Sequence, residues 1–270
     1  MLKPADFVAN YSKTGAVKST APTVKLLLLG IAAGFILACA GAAASNAAFS
    51  IPLASVAKLV SALIFPFGLI AIIYTGSELF TGNCLISISL LDGSARLSGM
   101  LRNLVIVYIG NFIGSAIVAA AVAYSGSETL IFYIMKAAAT KCSLSFGKGL
   151  VLGFMCNVLV CLGVVCSLST TTPSGRAMGA YIPVCLFVLC GFEHSIANMF
   201  YVPCALFALM LPEYQAIAHI LPDAGIAVEH LTWLNFAVKN LVPVTIGNII
   251  GGAGLGALLW YCHGKSVLNK

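Results

Sequence analysis

The chain has 270 residues, 60% of them hydrophobic and 8% charged, with a formal net charge of +6 and a mean hydropathy of +1.04. Soluble domains carry about 25% charged residues, so this composition excludes a soluble globular fold and specifies a polytopic membrane protein. The positive charge forms no basic run, which argues against nucleic acid as a partner.

Residues 4–20 place Asp6, Lys13 and Lys18 among Phe7, Val8, Tyr11 and Val17. This pattern predicts a short amphipathic helix lying at the bilayer surface. The apolar run Leu26–Ala44 follows lysines, and Ile36-Leu37-Ala38-Cys39 imitates a lipoprotein cleavage box. The polar stretch before it is too long for a signal peptide, so the run reads as span 1, about 25–44. Span 2, about 58–91, is too long for one helix and is interrupted near 76–83. Span 3 covers about 100–124, and a weaker amphipathic stretch follows at about 128–140. Span 4 is about 146–168, and span 5, about 177–211, is again overlong and interrupted near 191–198. A polar loop around 212–232 leads to span 6, about 237–261. Six spans of about 20 residues account for nearly the whole length.

The ten cysteines do not form a disulfide framework. Cys39, Cys84, Cys156, Cys161, Cys166, Cys185, Cys190 and Cys204 lie in apolar stretches, where they serve as small hydrophobes. No C-x-x-C spacing occurs, so no metal, redox site or cofactor is expected.

The chain repeats itself. Gly76-Ser77-Glu78-Leu79-Phe80-Thr81-Gly82-Asn83 and Gly191-Phe192-Glu193-His194-Ser195-Ile196-Ala197-Asn198 share the frame G-x-E-x-x-x-x-N. Arg102-Asn103-Leu104-Val105 with Gly110-Asn111 recurs as Lys239-Asn240-Leu241-Val242 with Gly247-Asn248. Gly30 and Gly34-Phe35 recur more weakly as Gly149 and Gly153-Phe154. The expectation is one membrane domain, 1–270, with repeat 1 at about 21–124, repeat 2 at about 141–262 and the amphipathic helix at about 4–20 outside both. Three spans per half is odd, so the halves are inverted in the membrane.

Lysine and arginine set the orientation. With both termini cytoplasmic, Lys3, Lys13, Lys18, Lys25, Arg96, Arg102, Arg176, Lys265 and Lys270 face the cytoplasm, and Lys58, Lys136, Lys141, Lys148 and Lys239 face outward. The expected location is the plasma, or inner, membrane.

Interrupted backbone at membrane depth survives only when buried in protein or lining a cavity. Glu78 and Glu193 are symmetric acids in those breaks. One reading makes them proton sites; the other makes each a brace that accepts backbone N–H bonds within its own break. Repetition favours the brace, because structure repeats with a fold while chemistry breaks symmetry. Asn83 and Asn198 are expected, on the same ground, to cap the second half-helices. Symmetry fails where Leu79 corresponds to His194 and Thr81 to Ile196. A histidine at mid-membrane is a functional candidate, since it titrates near neutral pH and donates to anions. Lys141 is either an anion-attracting charge in an outer funnel or an ordinary snorkelling lysine. Spacing alone does not separate the two.

The segments GSELFTGN (76–83), NLVIVYIGNFIG (103–114), CNVLVCLGVV (156–165), GFEHSIANMF (191–200) and NLVPVTIGNIIGG (240–252) resemble the formate/nitrite transporter family. Gly15-Ala16-Val17-Lys18 is similar to its N-terminal signature. The resemblance covers nearly the whole chain. It implies an all-α polytopic fold of six transmembrane spans in two inverted three-helix repeats, spans 2 and 5 broken, with an aquaporin-like protomer and a homopentamer. It implies formate, nitrite, hydrosulfide or short monocarboxylates as substrates. His194 would be the central pore histidine, Thr81 the threonine facing it, Asn157 the residue holding the ring and Lys141 the vestibule lysine. Leu79 and Phe187 would line one apolar constriction; Phe65, Leu69, Phe80 and Val160 the other. Asn248 would face the pore from span 6.

No nucleophile–base set or metal spacing points to an enzyme. A neutral-solute or water channel is the rival of another class, and the doubled Asn-Pro-Ala of aquaporins is absent. A bare anion loses many kcal/mol of hydration in an apolar constriction, so the expected mechanism passes a neutral acid, protonated near His194 by the imidazole or by water.

Overall fold

A computed structural model of the chain describes residues 1–222 and 228–264. Lys265 and Lys270, expected on the cytoplasmic face, lie outside the described residues. The elements are α1 Pro4–Thr20, α2 Thr23–Ala48, α3 Ala54–Thr75, α4 Phe80–Leu91 and α5 Leu97–Ser125. They are followed by α6 Glu128–Cys142, α7 Phe146–Leu168, α8 Pro173–Cys190, α9 Ser195–Ala208 and α10 Trp233–His263. Six of these helices are long and apolar enough to cross a membrane, and α4 and α9 are shorter apolar helices.

The order repeats after five elements. Each amphipathic helix (α1, α6) precedes a span (α2, α7), a half-span (α3, α8), a shorter half-span (α4, α9) and a last span (α5, α10). α2 lies along α5, and α7 lies along α10. Both seams are built on small residues. A Cβ at Gly34 or Gly114 would overlap the facing backbone of α5 or α2, and one at Gly247 or Gly251 would overlap that of α7. Close backbone approach of this kind replaces the hydrophobic drive that lipid cannot supply. The fold is therefore the expected one: two inverted repeats with spans 2 and 5 broken.

The breaks are shorter than the sequence reading placed them. α3 ends at Thr75 and α4 begins at Phe80, leaving residues 76–79 irregular. α8 ends at Cys190 and α9 begins at Ser195. Gly76 (φ 65°) and Gly191 (φ 69°) take the left-handed conformation that ends a helix. The N–H of Gly76 donates to Ile73 O and that of Ser77 to Ile72 O; Gly191 and Phe192 repeat this with Val188 O and Phe187 O. These reciprocal bonds satisfy the last carbonyls of each half-span. Asn83 and Asn198 are then inside helices and do not cap them. The N-cap positions are Leu79 and His194.

α10 opens with a π-helical turn over Phe236–Leu241. Pro243 has no N–H to give the carbonyl four residues back, and the wider turn absorbs that loss. Two arginines and the N-terminus mark one end of the bundle. Leu2 N–H donates to Ser169 O, Arg102 to Ala21 O and Arg176 to Thr170 O, which gathers both halves' loops beside α1. This end is called the N-terminal mouth below, and the opposite end the distal mouth.

Gly114→Val tests the seam. The branched side chain would push α5 off α2 and cost on the order of 1–3 kcal/mol by overpacking. The expected result is a lower melting temperature in detergent, with Val118→Ala, on the same helix, serving as the milder control.

Candidate functional site

A broken helix strands backbone N–H groups at the start of its second half. Here one asparagine in each repeat takes one of them. Asn111 accepts from Phe80 N–H (2.9 Å) and donates to Gly30 O (2.8 Å) and Glu78 O (2.9 Å). Asn248 accepts from Ser195 N–H (3.0 Å) and donates to Gly153 O (2.7 Å) and Glu193 O (3.0 Å). Both asparagines are completely buried. Asn248, expected to face the pore, lines neither cavity described below and spends its side chain on Ser195 N–H, Glu193 O and Gly153 O. The sequence repeat had marked Gly110-Asn111 and Gly247-Asn248 without showing this job.

The acids sit one residue further out. Glu78 Oε2 receives Lys18 Nζ at 2.7 Å and Asn83 Nδ2 at 2.6 Å. Asn83 also donates to Asn103 Oδ1 (2.8 Å), and Asn103 donates to the Lys18 carbonyl (2.9 Å). In the second repeat Lys141 Nζ bonds both Glu193 oxygens, at 3.0 and 3.1 Å. Asn198 donates to Glu193 Oε2 (2.7 Å) and Asn240 Oδ1 (2.8 Å), and Asn240 donates to the Lys141 carbonyl (3.2 Å). Side-chain exposure is 22% and 10% for the first pair and 17% and 10% for the second.

This geometry corrects two expectations. The carboxylates do not accept backbone N–H bonds in their own breaks; they accept a lysine and an asparagine side chain. Lys141 is not a free charge in a funnel, since Glu193 compensates it. Lys18 was missed as its counterpart, although it closed the quoted segment Gly15–Lys18.

His194 is buried between the repeats. Its Nδ1 accepts the Ala197 N–H at 3.1 Å and so caps α9. A nitrogen that accepts carries no proton, so the imidazole proton is on Nε2. Nε2 stands 3.0 Å from Thr81 Oγ1 on the other broken helix and donates to it. Asn157 does not hold the ring. It donates to Thr81 O (3.1 Å) and Asn248 O (2.7 Å), tying α4 of the first repeat to α10 of the second.

Two cavities approach this point. A vestibule of about 210 Å³ opens at the N-terminal mouth, lined by Tyr11, Lys18, Glu78 and Asn83 among others. A chamber of about 10 Å³, room for about one water, touches His194 and is walled by Leu37, Phe65, Leu69, Leu79, Val160, Val184 and Phe187. Leu69 and Leu79 line both cavities and form the partition between them. Phe187 stacks on His194 (5.8 Å between centroids) and meets Phe65 edge-on (5.9 Å). The expected grouping of Leu79 with Phe187 against Phe65 and Leu69 is thus redrawn. Phe80 lines neither of these two cavities and packs edge-on against Tyr108, 4.8 Å away. Leu37 and Val184 were missed, because nothing in their spacing distinguishes a pore wall from a core.

Two inverted repeats with broken helices meeting at a buried polar centre define a membrane transport protein, not an enzyme. The comparisons agree with that class and narrow it. The family description "Formate/nitrite transporter" matches residues 5–262, and the chain belongs to that family. A probable formate transporter of Methanothermobacter thermautotrophicus is 33% identical over 288 residues, covering 97% of each chain. The formate channel FocA of Escherichia coli (strain K12) is 32% identical over 271 residues, 97% of this chain and 94% of its own. Among solved structures, a pentameric formate channel with formate bound superposes with a TM-score of 0.76 at 33% identity, covering 92% of this chain and 98% of that one.

Removing one partner of a buried ion pair leaves the other uncompensated, at about 3 kcal/mol. Lys141→Ala should therefore lower the melting temperature in detergent, and adding Glu193→Gln should recover much of it. If Lys141→Ala melts like the wild type and only slows uptake at low substrate, the lysine is an attractor and not a brace.

Proposed function

We propose that the chain conducts formate, taken up at the mouths as the anion and passed through the centre as the neutral acid. The observation that carries this reading is the pinned imidazole in a one-water apolar chamber. Nδ1 holds a backbone N–H and Nε2–H holds Thr81, so the centre offers neutral hydrogen-bonding groups and no fixed cation. The partition of Leu69 and Leu79 and the Phe65–Phe187 pair would strip an anion of water without replacing it, whereas a neutral acid loses far less. The family and the formate-bound neighbour support formate; nitrite and hydrosulfide are small enough to compete.

The proton comes from water, on the approach to the partition and before the acid reaches His194. An imidazole that gained a second proton at Nδ1 would have to release the Ala197 N–H it caps. Thr81 and His194 meet the acid once it is formed, and Leu79 and Phe187 move aside to let it through.

Uptake into proteoliposomes tests this. Formate flux should rise as external pH falls, because each pH unit raises the neutral fraction about tenfold. His194→Asn keeps an N-cap and a donor, so it should retain the pH response at a reduced rate and remain electrically silent. Loss of the pH response, or a formate current in the mutant, would show that the imidazole itself supplies the proton. A wild type that carries nitrite or hydrosulfide but not formate would reassign the substrate.

The assembly is proposed to be a pentamer with one pore per copy and both termini in the cytoplasm, in the plasma membrane. Large apolar side chains such as Leu28, Val105, Ile109, Leu186 and Ile250 are exposed on the spans, where lipid or neighbouring copies cover them. Native mass measurement in gentle detergent should give five copies, and a purely monomeric species would exclude the assembly.

A further inference from the structure

The half-span α3 is not regular throughout. Its helical turns stop at Ile64 and resume at Phe67. Pro66 is the cause: it has no N–H to return to the Ala62 carbonyl, and its ring crowds the preceding turn. Beyond it, Gly68 N–H reaches back only three residues, to Phe65 O, and Ile70 N–H bonds Pro66 O. A carbonyl disturbed by proline in a membrane helix is re-satisfied by a neighbouring helix. Here the Leu63 carbonyl, in the interrupted turn, accepts the Tyr181 hydroxyl of α8 at 2.8 Å. Counted back ten residues from Gly76 and from Gly191, Pro66 and Tyr181 hold the same position of the repeat. The kink and its support thus stand at one level of the two half-spans.

We propose that Tyr181 is the strut that sets the width of the chamber beside His194, and with it the largest acid the chain passes. It is a positioning residue, acting through Phe65 without touching the substrate. Four of the chamber's side chains hang on the two helices it joins: Phe65 and Leu69 on α3, Val184 and Phe187 on α8. Leu63 lies two residues before Phe65, and Tyr181 lies one turn before Val184. The bond therefore fixes the spacing of α3 and α8 where Phe65 meets Phe187 edge-on, with Phe187 stacked in turn on His194. A helix interrupted by proline bends at that point unless something outside holds it, and a bend here swings Phe65 in the chamber wall. An apolar passage rejects an extra carbon only while its walls do not yield. A second tyrosine tie joins the same two helices: Tyr74 of α3 donates to Pro173 O at the start of α8. That tie lies at the N-terminal mouth, whereas the Tyr181 tie lies further toward the distal mouth, at the chamber. The inference rests on the proposed reading of the chain as a formate channel.

The test uses full-length protein in phosphatidylcholine vesicles, with formate and acetate as probes and the leak of protein-free vesicles subtracted. Wild type, Tyr181→Phe, Tyr74→Phe, Pro66→Ala and the double variant Pro66→Ala/Tyr181→Phe are compared at one pH. The expected result is an acetate-to-formate uptake ratio about five-fold higher in Tyr181→Phe than in the wild type, part of the tenfold or more that one carbon commands in a fitted apolar pocket. Tyr74→Phe, which loses the same hydroxyl at the other tie, should keep the wild-type ratio. Pro66→Ala returns an N–H to the turn and lets Phe67 serve the Leu63 carbonyl, so adding Tyr181→Phe should shift the ratio no further. A Tyr181→Phe variant whose two rates fall in proportion, or do not change, would overturn the proposal, because a purely structural tie leaves selectivity alone. An equal shift in Tyr74→Phe would also overturn it, as general loosening, and so would a full shift of Tyr181→Phe in the Pro66→Ala background. If the wild type itself moves no formate, the functional reading fails instead, and that first measurement tells the two failures apart.

Discussion

Everything at the centre of this molecule follows from one constraint: in lipid, a backbone N–H or C=O without a partner costs several kcal/mol. Breaking two spans exposes such groups at the worst depth. The chain answers with Asn111 and Asn248, each placed on the last span of its own repeat. An asparagine side chain offers one acceptor and two donors on a short stem, one donor more than a peptide unit. Each of these two takes one stranded N–H and supplies donors to two carbonyls. The position of the breaks is therefore set by spans 3 and 6, not by the broken spans themselves. The glycine seams that bring α2 against α5 and α7 against α10 are what let the asparagine reach both Gly30 O or Gly153 O and the break.

The same constraint explains the charges. A carboxylate at this depth is costly unless it is compensated. Glu78 and Glu193 are compensated from helices that lie outside the bundle of spans, α1 and α6. The carbonyls of Lys18 and Lys141 are tied in turn to Asn103 and Asn240. The surface helices are thus part of the repeat's hydrogen-bond system, which gives each half five corresponding elements in place of three spans. α1 also sends Tyr11 to the Gly82 carbonyl and Ser12 to Asp92, so the vestibule at that mouth is closed on one side by a helix with fixed contacts.

Much of this was legible in the sequence because the repeat is written in expensive residues. Glutamate and asparagine in apolar runs mark positions that packing alone would never select, and their recurrence located both breaks and both inverted halves. Boundaries were less legible. Thr81, Gly82 and Asn83 are polar or small and read as part of the interruption, yet they form the first turn of α4 because Asn111 has already satisfied Phe80 N–H. Roles were less legible still. Asn83 has the composition of a cap and acts as a brace, since a cap must precede its helix and the helix starts earlier. Asn248 was assigned to the pore, and its side-chain bonds go to the break and to α7. Phe80, an aromatic beside the key threonine, packs edge-on against Tyr108. Lys18 was hidden because its partner Glu78 lies sixty residues along the chain, and single-sequence spacing carries no signal across that distance.

The remaining asymmetry is the chemical one. At the N-cap of α4 stands Leu79, which offers no side-chain acceptor; at the N-cap of α9 stands His194, whose ring accepts the Ala197 N–H. The histidine thus serves the fold with one nitrogen and the pore with the other, and the two uses are coupled. Charging the ring requires a proton on Nδ1, and that proton would face an N–H with no acceptor between them. Losing such a cap costs about 1 kcal/mol, and leaving the amide unsatisfied where it is buried costs further. A cation created there would also meet walls of leucine, valine and phenylalanine. The arrangement therefore holds the imidazole in one tautomer and one charge state, with its single proton aimed across the two-fold at Thr81. A centre built in this way recognises a small hydrogen-bonding solute by geometry, and leaves the gain and loss of protons to the wetter ground on either side.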